Sequence, residues 1–189
     1  MRKIVIIIFL LLTNIGFSQV KYTIKADSSI LVCSDEVLKL LANQEINEKD
    51  NPDMVLNVIR TAGGFHKNTA WCYALQFFAF EVCNTSLNPL HKTLVANNGF
   101  NYAAKKGRKV KYEVKLFDLI FWKKQSSWQG HTERVIKVLN RNWVITIGGN
   151  TSKDNSNNRN GGGVYFKKRN ILSPLSRILL VRGLIGFYQ

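Results

Sequence analysis

An α+β fold is predicted for this chain, with helices in its first half and an antiparallel sheet in its second. Two observations carry that prediction. Between residues 35 and 83, apolar residues recur at helical spacing and are bracketed by helix-start and helix-stop residues; after Lys109 they gather into short β-branched and aromatic runs separated by polar turns. Helices first and strands second is the order of an α+β domain, not of an alternating α/β one.

Taken in order, residues 19–34 read as an extended lead-in, with Tyr22, Ile24, Ile30 and Val32 apolar. A helix is expected from Ser34-Asp35-Glu36, capped by the Ser34 hydroxyl and presenting Val37, Leu38, Leu40 and Leu41. The polar run 44–51 is a loop. Pro52-Asp53 opens a second helix through Val55, Leu56, Val58 and Ile59, since proline fits the first helical position, and Gly63-Gly64 stops it. A third helix starts at Trp71-Cys72 and runs to about Cys83. In the mixed stretch 94–109, Tyr102 to Lys106 is expected as a short helix with Gly107 as its stop. Strands follow at 115–122, 134–139, 143–147, 164–166 and 184–188. Residues 153–163 form a polar glycine-rich loop that lacks the Lys-Ser/Thr ending of a phosphate-binding turn.

Residues 1–18 stand apart from the fold. Arg2 and Lys3 precede the unbroken apolar run from Ile4 to Leu12, and Gly16-Phe17-Ser18 places small residues where a signal peptidase reads, with cleavage before Gln19. The run is shorter than the ~20 residues that span a bilayer. A secreted or periplasmic protein with no membrane span after cleavage is therefore expected, and no cysteine follows the cleavage site to carry a lipid. Residues 19–189 suit one domain, the catalytic part being expected over 35–189.

The chain carries 27 basic and 12 acidic residues; without Arg2 and Lys3 the balance is 25 against 12, net +13. Such charge favours a polyanionic neighbour, and export points to a cell wall or membrane surface instead of nucleic acid. The basic residues are scattered, as at Lys105-Lys106-Gly107-Arg108-Lys109 and Lys167-Lys168-Arg169, which is also the pattern of a plain solvated surface. Three cysteines in an exported chain leave one over. Pairing Cys33 with Cys83 would leave Cys72 free; the alternative is two buried thiols. Cys72 and Cys83 lie three helical turns apart, too far to pair.

Chemistry is concentrated in three places. Cys72 opens an apolar helix, where free N–H groups and the macrodipole favour thiolate over thiol. His131 follows in Gly130-His131-Thr132, and Asn150 in Gly148-Gly149-Asn150-Thr151. A cysteine, a histidine and a polar orienter in that chain order outline a cysteine hydrolase. His66 and His91 lie in polar loops. No C-x-x-C or H-x-x-x-H spacing is present, so no zinc and no cofactor is expected.

Trp71-Cys72, Asp118-Leu119-Ile120-Phe121-Trp122, Gly130-His131 and Gly148-Gly149-Asn150-Thr151, together with Gly161-Gly162-Gly163-Val164-Tyr165, resemble in order and spacing the signature pieces of the CHAP domain, the cysteine, histidine-dependent amidohydrolase/peptidase family. The resemblance covers residues 35–189. It implies a papain-like fold and a peptidoglycan hydrolase, either an N-acetylmuramoyl-L-alanine amidase or a stem-peptide endopeptidase. Cys72 would be the nucleophile, His131 the general acid and base, and Asn150 the orienter of the imidazole. The chain departs from the pattern in having Phe117 before Asp118, in Thr132-Glu133-Arg134 after Gly-His, and in Gly148 where many members have glutamate; the last places the orienting role on Asn150 alone. Asp118 is read as holding a turn at a strand start. Trp71, Trp122 and Trp128 are candidates to wall a groove for a sugar-peptide substrate, or to sit in the core. A monomer acting on peptidoglycan is expected. The rival readings are a wall-binding protein that has lost catalysis and a cysteine acyltransferase using the same thioester.

Overall fold

The computed structural model describes residues 19–66, 69–153, 162–176 and 179–189. The expected signal peptide, and positions 154–161 of the polar loop expected at 153–163, lie outside the described residues. Among the described residues there are four α-helices and seven strands: β1 (Val20–Lys25), α1 (Ser28–Asn43), α2 (Pro52–Thr61), α3 (Cys72–Cys83), α4 (Ala96–Lys106), β2 (Arg108–Val110), β3 (Leu119–Lys124), β4 (Gly130–Val138), β5 (Trp143–Thr151), β6 (Gly163–Asn170) and β7 (Leu179–Tyr188).

The α+β class holds, and the second and third helices fall at their expected positions. The first helix does not. Asp27, not Ser34, caps it: the Asp27 carboxylate accepts the Ser29 N–H at 2.7 Å, so α1 starts at Ser28 and the extended lead-in is only the strand β1. Ile30, Leu31, Leu38 and Leu41 are its buried apolar residues, a helical spacing that the alternation of Ile30 and Val32 conceals. Ser34 is buried inside the helix. Its hydroxyl donates to the Leu31 carbonyl at 3.0 Å and accepts from Arg134 Nη1 at 2.6 Å. The expected short helix also lengthens, beginning at Ala96 and still stopping before Gly107.

The strands form one sheet in the order β2-β1-β7-β3-β4-β5-β6. It is mixed, not antiparallel throughout as expected, because β1 runs parallel to β7, Val20 pairing with Gly183 and Lys25 with Tyr188. The two come from opposite ends of the described chain, so the crossover that parallel neighbours require is the whole intervening domain. The other pairings are antiparallel.

One core joins the four helices to strand residues Leu119, Phe121, Ile147, Val164 and Ile185. A second cluster gathers Ile120, Trp122, Val135, Val144, Leu179, Val181 and Leu184 with Val114, Ile171 and Leu175. A disulfide joins Cys33 of α1 to Cys83 at the end of α3, fixing those two helices together and leaving Cys72 as the free thiol. At the start of β3, Asp118 Oδ2 accepts the Lys115 N–H at 2.8 Å and pairs with Lys21 Nζ at 2.6 Å. Burial raises the Asp118 carboxyl to about 6 against the pull of the Lys21 charge. Asp118 thus ties β1 to the turn before β3, a structural role.

Candidate functional site

The first turn of α3 is the platform of the site. Residues 72–80 are buried all round, so this is a core helix held by packing, not an amphipathic surface helix. Trp71 is its N-cap and offers no side-chain cap; its carbonyl accepts the Leu75 N–H at 2.9 Å. The N–H groups of the first turn are left without intrahelical partners, beside the sulfur of Cys72.

Two glycines of the motifs are explained by contact. A Cβ at Gly149 would lie 2.6 Å from Trp71 Cζ3, so only glycine lets β5 close on that indole. A Cβ at Gly130 would lie 2.8 Å from the Trp122 carbonyl oxygen. The start of β4 therefore lies close along β3, with His131 directly opposite Trp122 and their rings 5.9 Å apart.

Cys72 and His131 face each other closely enough for each to shift the other's titration, both only 2% exposed. His131 Nε2 faces Glu133 Oε1 at 3.1 Å, which leaves Nδ1 for the thiol. Glu133 is in turn held on both oxygens. Arg169 donates from Nε to Oε2 at 2.8 Å and from Nη2 to Oε1 at 2.6 Å, and the Thr146 hydroxyl donates to Oε2 at 2.6 Å. Cys72, His131, Glu133 and Arg169 form one chain of charge-assisted contacts across α3, β4 and β6.

The electrostatics follow from this chain. Burial works against the thiolate, but the charge and hydrogen bond of His131, with the backbone N–H groups of Thr132 and Tyr73, hold the Cys72 thiol below its ordinary value. Burial would likewise depress His131; the Cys72 charge and hydrogen bond, then Glu133, raise it to about 9. Burial pushes Glu133 up, yet the Arg169 contacts, followed by His131, hold it far below the usual carboxylate range. Both shifts favour the thiolate–imidazolium form of the pair, backed by the ionised Glu133 carboxylate.

A cavity of about 230 Å³ opens on the sulfur, lined by Ala70, Cys72, Trp128, Gln129, Gly130, His131 and Asn150. A neighbouring cavity of about 170 Å³ shares Cys72, Trp128 and Gly130 and extends along Leu94, Val95 and Ala96. Cys72 therefore lies between a pocket of mixed polarity and an apolar one.

Of the residues expected from sequence, Cys72, His131 and Asn150 are brought together. Asn150 lines the cavity but is not the partner of the imidazole; Glu133 occupies that position, because residues two apart on a strand share a face. Trp71 and Trp122 do not wall the groove. Trp71 is 0% exposed, its Nε1 donating to Glu48 Oε1 at 2.7 Å, and Trp122 is 1% exposed, its Nε1 donating to the Ser173 carbonyl at 3.4 Å. The tryptophan at the cavity is Trp128, 68% exposed. Sequence reasoning missed Glu133 and Arg169. The His-x-Glu spacing on a strand was a usable signal for the first; none pointed to the second.

Among the described residues, no group of three or more His, Cys, Asp or Glu side chains could hold a metal ion, and no helix is long and apolar enough to cross a membrane. Comparison of the chain with protein-family models, curated proteins and solved structures returned no match.

Proposed function

We propose that the protein is an exported cysteine amidohydrolase of the papain-like CHAP plan. It would cleave an amide of peptidoglycan, as an N-acetylmuramoyl-L-alanine amidase or a stem-peptide endopeptidase. The observation that carries the hydrolase reading is the buried Cys72–His131 pair at an uncapped helix start, with a cavity open on the sulfur. A wall-binding protein without catalysis has no use for such a pair. The wall as substrate is supported by the leader-like residues 1–18, the basic balance of the chain and the ordered CHAP-like motifs.

In the forward step the Cys72 thiolate adds to the scissile carbonyl, forming the C–S bond. The oxyanion accepts the Cys72 backbone N–H, preorganised at the first turn of α3. Collapse breaks the C–N bond, and the His131 imidazolium gives its Nδ1 proton to the departing amine. The neutral imidazole then takes a proton from water. The resulting hydroxide adds to the thioester, the C–S bond breaks, and thiolate and imidazolium are regenerated. Throughout, the contact at Nε2 keeps Nδ1 turned toward sulfur and substrate. Trp128, exposed beside the sulfur, offers an aromatic face to the sugar-peptide chain.

The test is mass spectrometry of purified sacculi digested by residues 19–189. New amino termini or freed stem peptides are expected, absent with Cys72→Ala in an otherwise folded protein. Equal release by wild type and Cys72→Ala would overturn the mechanism; sacculus binding without release by wild type would replace it with the binding-protein reading.

A further inference from the structure

We infer that Glu133 and Gly148 act as one positioning unit: Glu133 orients and charges His131 in place of Asn150, and position 148 is glycine because the Glu133 side chain fills the space a side chain there would need. The inference rests on the cysteine-hydrolase reading of the site.

The register of β4 and β5 puts Arg134 opposite Ile147, and one step along the antiparallel ladder Glu133 faces Gly148. A Cβ on Gly148 would lie 2.6 Å from Glu133 Cγ and 3.2 Å from Oε1. Cγ is near the root of the side chain, so the carboxylate could not remain where it is. Nothing in the backbone calls for glycine here, since Gly148 is not among the positive-φ residues. The glycine therefore answers to Glu133. The same geometry means that a side chain at position 148 would enter the space Glu133 now occupies.

The surroundings of Glu133 suit an orienter. His131 and Glu133 project from β4, Arg169 closes on both carboxylate oxygens from β6, and Thr146 of β5 donates a hydrogen bond. From β3 the uncharged Trp122 ring lies beside His131, and from α3 the facing group is Cys72 itself. Asn150, on the cavity wall, is then left to meet substrate.

The experiment reads the thiol, not the substrate. Alkylation of Cys72 by iodoacetamide is followed against pH in wild type and in Glu133→Gln, Glu133→Ala, Gly148→Ala, Glu133→Ala/Gly148→Ala and the exchange Glu133→Gly/Gly148→Glu, with circular dichroism and thermal melts on each. Removing the carboxylate should raise the thiol midpoint by about one unit, a roughly tenfold loss of thiolate on the acid side. Gly148→Ala should reproduce that shift, since the atoms nearest its added Cβ all belong to Glu133, and should add nothing further once Glu133 is alanine. The exchange variant should recover much of the wild-type profile. The conservative Glu133→Gln keeps the volume of the side chain, so a shift in that variant is electrostatic and not a packing effect. Wild-type profiles in Glu133→Gln and Gly148→Ala would overturn the inference, as would a Gly148→Ala shift that adds in full to that of Glu133→Ala. These results do not depend on peptidoglycan: wild type that fails to cut sacculi while showing these shifts refutes the wall reading and leaves the positioning unit standing.

Discussion

The indole of Trp71 closes directly on the backbone of Gly149, where a Cβ would lie 2.6 Å from Cζ3. This contact sets the helix start that carries Cys72 against the strand that carries Asn150. The Trp71 Nε1 bond to Glu48 anchors the other edge of the ring. The two motif glycines of β5 thus have different duties, Gly148 toward Glu133 and Gly149 toward Trp71.

Gly149→Ala should therefore displace Trp71 and with it the first turn of α3. Overpacking of this kind costs about 1–3 kcal/mol. The melting temperature should fall, and turnover should fall by at least about tenfold. Unchanged turnover in a destabilised Gly149→Ala protein would show that the indole does not govern the position of Cys72.

The pH profile of kcat/KM should be a bell whose form follows from the shifted pair. Cys72 is held below its ordinary thiol value, so the acid limb, where thiolate is lost, should lie well below that of a free cysteine. His131 is raised to about 9, so the alkaline limb, where the imidazolium loses the proton it must give to the leaving amine, should lie near pH 9. The same signs govern stability. The raised His131 contributes stability that is complete below the unfolded value and is lost as pH rises through about 9; the lowered Glu133 contributes stability that is complete above the unfolded carboxylate value and is lost progressively as pH falls from there toward its depressed folded value. A profile with an acid limb at the free-thiol position would contradict the ion pair.

Asn150 has φ +55°, a left-handed conformation that glycine adopts freely. Asn150→Gly therefore removes the side chain without straining the backbone. Its expected effect is a raised KM on peptidoglycan fragments with the alkylation profile of Cys72 unmoved. A shift in that profile equal to the one expected for Glu133→Gln would return the orienting role to Asn150.

The Cys33–Cys83 bridge spans 50 residues and joins α1 to α3. Closing a loop of that length in the unfolded chain contributes about 4 kcal/mol in the chain-entropy model, less where native strain intervenes. Replacing both cysteines by alanine should lower stability to denaturant by about 2–4 kcal/mol. Because the bridge lies at the far end of α3 from Cys72, the alkylation rate of the folded protein should be unchanged. A loss of thiol reactivity in the folded double variant would show that the bridge also holds the first turn.

Much of the site was legible in the sequence because it is written locally. A cysteine that opens an apolar run, a proline at a helix start with glycines after its end, and a glycine before a strand histidine each express a constraint within a few residues. Those patterns placed α2 and α3, gave the α+β order, and selected Cys72 as the free thiol and His131 as its partner. The start of α1 was misplaced because two polar residues, Asp27 and Ser34, could each cap a helix, and only the burial of Ile30, Leu31 and Ser34 against the rest of the fold chose between them. Tertiary structure alone decided that β1 runs parallel to β7, that Trp71 and Trp122 are core while Trp128 is exposed, and that Glu133, not Asn150, holds the imidazole. Glu133 and Gly148 both stand in the sequence as separate departures from the CHAP pattern, fifteen positions apart. They become one feature only when the register of β4 against β5 sets them face to face, since the space a side chain may occupy across a sheet is determined by its cross-strand neighbour and not by the residues beside it in the chain.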